Sequence, residues 1–269
     1  MIAQKYYEEI LFNNLEINKI VSEFKEEFKE SFKGLTFEPK YHKYTYQCEV
    51  FKSVTQVLKI ISRTDFDQVA INYAIRHNLN VEDVKAMWKQ KGEYASELGT
   101  ACHLFIENLF TDWNTTDFVK ENYINDIQND YDNITNQMKD FFNIVKKDLM
   151  PIFLEVPIFD TDFKIAGTFD GLFFHIPSRT FQIWDWKTSK EINKNEFNNF
   201  KIVEHLYENN FNQYALQLST YKYIIEKFTN CNISELVIGQ FSSKNNKFQI
   251  HRMPYLKSEV ETILNNFNK

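Results

Sequence analysis

Between Gly167 and Lys190 the chain reads G-T-F-D-G-L-F-F-H-I-P-S-R-T-F-Q-I-W-D-W-K-T-S-K, and it holds two carboxylates and an amine, Asp170, Asp185 and Lys187. The residues on either side of Pro177-Ser178 are rich in Phe, Ile, Trp and Thr, types that favour strands, and Pro-Ser marks the turn between them. A hairpin centred on that dipeptide sets Asp170 opposite Asp185, with Cβ atoms about 4.5 to 5.5 Å apart. Lys187 lies two residues beyond Asp185 and points to the same face. Opposed like charges across a sheet need compensation. Hard divalent cations take oxygen ligands and use one or two protein carboxylates. A lysine beside such an ion can orient an attacking water or offset charge on a phosphoryl group. Ile183, Trp184 and Trp186 surround Asp185 with apolar bulk, so an acid there needs a reason.

Two helical patterns could serve such a site. In Leu98-Gly-Thr-Ala-Cys-His-Leu-Phe-Ile-Glu, Gly99, His103 and Glu107 follow at intervals of four and share one helix face. A His-Glu pair at this spacing is also a common surface pair. Leu98, Cys102, Phe105, Ile106 and Leu109 make this helix partly buried, so that His103 can serve as a further metal ligand with Glu107 orienting it. Farther on, Gln217 and Tyr221 are again four apart. They can hold a lysine or a phosphate by hydrogen bonds, or simply belong to an amphipathic helix.

Short elements must position these groups. Residues 1 to 33 read as one or two helices with an aromatic stripe of Phe24, Phe28 and Phe32, stopped at Gly34. Strand-like pieces follow at Leu35 to Phe37 and Tyr44 to Val50, and Ser53 then caps a helix. Helical patterns cover Val81 to Lys89, Tyr94 to Phe110 and Ile134 to Asp148, the last ended by Pro151, with a polar loop over Asp112 to Asp132. Strands are expected at Phe153 to Asp160, Lys164 to Phe174 and Phe181 to Lys187. A helix from Asn212 to Phe228, a hairpin around Lys244-Asn245-Asn246 and a last helix from Lys257 complete the chain. The pattern predicts one α/β domain with helical additions at its N-terminal side.

With 269 residues, 43% of them hydrophobic, the chain can bury an ordinary core. The net charge of -6 lacks the basic balance usual in nucleic-acid binders, although an enzyme can confine positive charge to a groove. Lys190, Lys194 and Lys201 are candidates for one. Cys48, Cys102 and Cys231 are widely spaced, which excludes a disulfide framework and a metal site built from cysteine alone and points to a reducing, intracellular setting. No apolar run reaches the roughly 18 residues of a membrane span, and no signal peptide is apparent at the N-terminus.

Taken in order, G-T-x-x-H-x-x-x-E, G-T-x-D-G, D-x-K-T-S and Q-x-x-x-Y, spanning Gly99 to Tyr221, resemble the motifs of the RecB-like branch of the PD-(D/E)XK nuclease superfamily. The segments Tyr41-His-Lys-Tyr and Ser53-Val-Thr are similar to the N-terminal part of phage-type members and of the mitochondrial genome maintenance exonuclease group. The resemblance implies a restriction-endonuclease-like core, a central mixed β-sheet flanked by helices. It implies a single nuclease domain over 1–269, with an N-terminal elaboration over 1–95 and a catalytic core over 96–256. It also implies a Mg²⁺- or Mn²⁺-dependent DNA nuclease, an exonuclease on single-stranded or frayed ends, that hydrolyses phosphodiesters with metal-activated water. Asp170, Asp185, Lys187, Gln217 and Tyr221 would be catalytic, with His103, Asp170 and Asp185 as metal ligands. Glu107 and Glu155 would support them, and Ser53, Thr55, Thr188, Ser189 and Lys190 would contact DNA. Phe169 stands where the superfamily's name has proline. The chain lacks the four cysteines of iron-sulfur relatives and the G-x-x-x-x-G-K-S/T of a helicase motor. The alternatives are a structure-specific endonuclease of the same fold and a non-catalytic DNA-binding module of recombination or repair. The Asn, Lys, Ile and Phe content fits an AT-rich genome, such as that of a phage or its bacterial host.

Overall fold

A computed structural model describes residues 2–112 and 126–267. In chain order the elements are α1 (Ile2–Asn13), α2 (Leu15–Ser31), β1 (Thr36–Glu38), β2 (Lys43–Tyr46), β3 (Glu49–Ser53), α3 (Val54–Ile61), α4 (Phe66–His77), α5 (Val81–Asp112) and α6 (Gln128–Val145). Then come β4 (Leu149–Asp160), β5 (Ile165–His175), β6 (Thr180–Lys187), α7 (Asn210–Phe228), β7 (Ile233–Gln240), β8 (Gln249–Met253) and α8 (Lys257–Phe267). The chain is α/β, with a mixed, open eight-stranded sheet flanked by helices.

The sheet runs β1-β2-β3-β5-β6-β7-β8, and β4 pairs with the other side of β5. The pairs β3–β5 and β6–β7 are parallel and the rest antiparallel. Strand β5 therefore serves two partners along one edge. Its start pairs with β3 at Ile165 and Ala166, and its end pairs with β6 from Gly171 to His175. Gly167 to Asp170 lie in the gap between them, and the candidate chemistry gathers there.

Two cores flank the sheet. On one side α2, α3, α7 and α8 pack on Phe169, Leu172, Phe174 and Ile183. On the other, α5 and α6 pack on Phe173, Trp184, Trp186 and Val237. In α2, Ile17, Val21, Phe24 and Phe28 are buried at alternating spacings of four and three, one helix face, and Asn14 caps the helix by accepting from the Ile17 N–H. Phe28 stacks on Phe153 of β4 at 4.3 Å between ring centroids, so the expected aromatic stripe is core. Ser53 and Gln56 form a reciprocal capping box that starts α3. Helix α4 packs through Ala70 and Ala74 on Val84 of α5, in a third, small core separate from the other two.

The expected β5–β6 register holds from Gly171–Trp184 to His175–Thr180, and the β7–β8 hairpin forms as expected. Other boundaries differ. Tyr44 to Val50 is two strands, because Gln47 and Cys48 both take positive φ (49° and 66°) in a tight turn whose residues carry no Asn or Gly signal. Val81 to Asp112 is one unbroken helix, crossing the boundary drawn at residue 95; Gly92 within it meets nothing a Cβ would touch. Helix α6 begins earlier and ends at Val145. Pro151 does not end it but lies inside β4, at a register shift next to Phe153. Because β4 pairs only with β5, the ladder tolerates a residue without an N–H there. Residues 113–125 of the expected loop lie outside the described residues. No helix among the described residues is long and apolar enough to cross a membrane.

Removing the Phe28 ring should cost about 3 to 5 kcal/mol, as for other buried aromatics. Urea unfolding of Phe28→Ala checks this, and a loss under about 1 kcal/mol would show that α2 is an appendage rather than part of the core.

Candidate active site

Strands β5 and β6 part immediately past the Gly171–Trp184 pair. Continued in register, Asp170 would face Asp185 and Trp186 would face Phe169. Instead the Trp186 N–H donates to Asp170 Oδ2 at 2.6 Å, and the Trp186 carbonyl lies 3.0 Å from His103 Nε2. Two backbone groups of one residue thus hold side chains from β5 and α5. The carbonyl can only accept, so Nε2 donates to it and Nδ1 is the nitrogen turned toward the carboxylates. Phe169 and Leu172 enter the same core although three residues apart, so the alternation of β5 breaks across Asp170 and Gly171. That break turns the carboxylate into the fork.

On the other side of β5, Leu154 pairs with Gly171 and Val156 with Phe169, which puts Glu155 across from Asp170. Glu155 has a φ of 50°, a left-handed conformation that costs a non-glycine residue about 1 to 3 kcal/mol and persists where its surroundings impose it. His103 Nδ1 lies 3.6 Å from both Glu155 Oε1 and Asp170 Oδ2, and one donor atom from each of the three residues lies within 4.8 Å of the others. Neighbouring ligands around an octahedral Mg²⁺ or Mn²⁺, each about 2.1 Å from the ion, lie about 3 Å apart. Small side-chain shifts bring the three donors onto one ion, and an imidazole locked through its other nitrogen is the usual form of a histidine ligand.

Asp185 stands apart from this donor set. It is buried, and Lys187 Nζ lies 2.5 Å from its Oδ2, though off the hydrogen-bonding direction, so that this oxygen has no hydrogen bond of normal geometry. The structure thus puts Glu155, expected in support, among the three donors and pairs Asp185 with the lysine. Lys187 also lies over the Tyr214 ring, 4.9 Å from its centroid. From α7, Gln217 donates to the Tyr221 hydroxyl at 3.1 Å. The buried Tyr221 ring covers Gly167, where a Cβ would come within 2.5 Å of its Cε1, so only glycine fits this ring so close to the strand. Tyr44 of β2, buried and stacked on Phe37, shares a 3.0 Å hydrogen bond with Thr168. Glu107 is half-buried one turn beyond His103, and burial, then repulsion by Glu155, raises its pKa.

Burial raises the pKa of Asp170 against the pull of His103 and Lys187. Burial and then the nearby Asp170 push Asp185 up to about 6 despite Lys187. Burial works against protonation of His103, but Asp170 and Glu155 outweigh it and lift the imidazole to about 9. Lys187 is likewise desolvated, yet Asp185 and Asp170 raise its pKa, so it stays an ammonium at neutral pH. Three carboxylates thus face two cations, one negative charge in surplus.

The remaining expected residues divide. Thr188, Ser189 and Lys190 follow Lys187 along a cleft of about 420 Å³ that also touches His103. Ser53 is buried and its hydroxyl is spent capping α3, with Thr55 Oγ1 3.0 Å away. Ser53 thus serves as a structural cap of α3, its hydroxyl accepting a helix N–H. Lys194 lies over the Phe211 ring, and Lys201 bonds to the Ile60 carbonyl at the far end of α3. The Trp186 peptide groups, Tyr44, Thr168 and Tyr214 were not foreseen. Tyr44 left a signal in the Tyr41-His-Lys-Tyr segment and Thr168 in the G-T-x-D-G motif. No known family model matches this chain, and no curated protein matches its sequence.

Two outcomes are expected. Neutralising one surplus charge stabilises the metal-free protein, so Asp170→Asn, which keeps an oxygen for the Trp186 N–H, should raise the melting temperature in EDTA at pH 8 by about 2 to 4 °C for each kcal/mol gained. A lower midpoint would contradict the surplus. The raised pKa values of His103 and Asp185 mean that the folded state holds these protons more tightly than the unfolded chain. Their stabilisation is therefore full below the ordinary values and is lost as pH rises through about 6 for Asp185 and about 9 for His103. An ion bound at Nδ1 must displace the His103 proton. Mn²⁺ binding followed calorimetrically in buffers of different ionisation enthalpy should release close to one proton at pH 7 to 8 and tighten toward pH 9. Binding without proton release would exclude His103 as a ligand.

Proposed function

We propose that this protein is a Mg²⁺- or Mn²⁺-dependent deoxyribonuclease with a restriction-endonuclease-like core, hydrolysing DNA phosphodiesters as an exonuclease on single-stranded or frayed ends. One observation carries the reading: His103 Nδ1, Glu155 and Asp170 converge at the β5–β6 fork within reach of one ion, beside a protonated, half-buried lysine. The motifs that resemble the RecB-like nucleases supply His103, Asp170 and Lys187 and support the assignment. An ion held there supplies Lewis acidity, polarising a phosphoryl oxygen and acidifying water at the site.

The chain's own residues do the rest. Asp185 and the Tyr214 ring fix the Lys187 ammonium, which binds a non-bridging phosphoryl oxygen and offsets the charge that grows there in the transition state. Because Asp185 and Asp170 hold its proton, Lys187 acts as a cation and not as a base before substrate and ion bind. Tyr221, its pKa raised well above the ordinary value chiefly by burial, keeps its hydroxyl proton, and with Gln217 it supports the strand that carries Asp170. The 37 acidic residues outnumber the 31 Lys and Arg, so the chain lacks the basic excess that neutralises a long duplex. A strand end needs only local contacts, which favours exonuclease action.

Digestion of end-labelled single- and double-stranded DNA with Mg²⁺, Mn²⁺ or EDTA tests the proposal. Cleavage should need the ion, release mononucleotides, and fall about 10²- to 10³-fold in Lys187→Ala. Internal fragments would mean an endonuclease. DNA bound but left intact by the wild type under every condition would replace the enzyme with a non-catalytic binding module.

A further inference from the structure

The cleft beyond Lys187 has features that the metal cluster does not use. It runs from His103 and Trp186 along Thr188 to Lys190, and is closed by Tyr94 of α5 and by Ser242 to Lys244 at the β7–β8 turn. Its volume of about 420 Å³ is in the range of small-ligand sites, roughly 300 to 1,000 Å³. Its wall is fixed. The Ser189 carbonyl accepts from Nε2 of buried Gln240 at 2.9 Å, and Gln240 Oε1 meets His251 Nε2 at 2.9 Å. The Ser189 hydroxyl is buried with no hydrogen-bond partner, and buried hydroxyls are seldom left so. Lys190 and Lys244 carry no ion pair among the described residues. Asp130, the acid of this lining, accepts from the Tyr94 hydroxyl at 2.6 Å, and that bond, ahead of contributions from Ser243 and Lys244, depresses its pKa. Two cations, an unspent hydroxyl and a phenol wall suit a phosphate with its nucleoside attached.

We propose that this cleft is a nucleotide subsite, seating the phosphate next to the scissile one between Lys190, Lys244 and the Ser189 hydroxyl, with its sugar and base against Tyr94. The assignment rests on the phosphodiester reading above, since the cleft opens onto Lys187 and His103. The phosphate is either a chain end or an internal diester, and both present the same oxygens to the two lysines.

The test is calorimetric titration of the full-length protein in EDTA with thymidine 5′-monophosphate, with thymidine and with inorganic phosphate. The monophosphate should bind saturably, at least tenfold more tightly than thymidine, and more weakly as salt rises. Lys244→Ala and Lys190→Ala should each weaken it about tenfold, and Lys244→Arg should restore it. Equal binding of thymidine and its monophosphate, or unchanged affinity in both lysine variants, would overturn the subsite even if DNA is cleaved. Loss of monophosphate binding in the lysine variants would sustain it even if DNA is not cleaved, so the two readings fail separately. A 5′-phosphorylated dinucleotide that outbinds its unphosphorylated form assigns the seat to a chain end, and equal binding assigns it to an internal diester; either supports the subsite.

Discussion

The site depends on two backbone groups that a sheet would normally use for itself. Where β5 and β6 part, the N–H and C=O of Trp186 lose their strand partner, and buried peptide groups cannot stay unpaired without a penalty of a few kcal/mol. The Asp170 carboxylate and the His103 imidazole take up these bonds. The exchange stabilises the opening in the sheet and sets two donors at a fixed separation. Side chains placed by a strand backbone are held more tightly than groups on a loop, the precision that the proposed metal site would need.

The surplus negative charge is the other half of the design. Asp170, Asp185 and Glu155 crowd one fork that His103 and Lys187 only partly neutralise, and Glu155 reaches it with a backbone conformation few side chains adopt. A protein selected for stability alone would not keep such a cluster. Such a cluster at the edge of a core packed with Phe and Trp is what the proposed cation would complete, and the surrounding aromatic contacts supply the rigidity that keeps the acids from moving apart.

Much of this was legible in the sequence where the signal is local and chemical. The Pro177-Ser178 turn sets the β5–β6 register, the D-x-K spacing sets the face, and the spacing of four from Gly99 through His103 to Glu107 sets the helix stripe. The sequence did not disclose what backbone geometry decides. The turn at Gln47-Cys48 has no turn residues, and Pro151 reads as a helix stop although it is tolerated at an irregular strand edge. The promotion of Glu155 over Asp185 follows from the parting of two strands and from a lysine that claims the nearer acid. Trp186 acts through its main chain, which any residue type would supply, so no pattern of side chains could reveal it.

Helix α5 carries a mechanical consequence. Its 32 residues make a rod of about 48 Å, anchored by Leu98 to Phe110 in the body of the protein, while its first turns pack on α4 through Val84, a Trp88–Tyr73 ring contact and the Lys85–Asp67 ion pair. His103 sits near the fulcrum of that lever. A load on the outer arm at α4 would be transmitted along the helix to the imidazole, so a contact made far from the fork and the orientation of His103 become one mechanical variable.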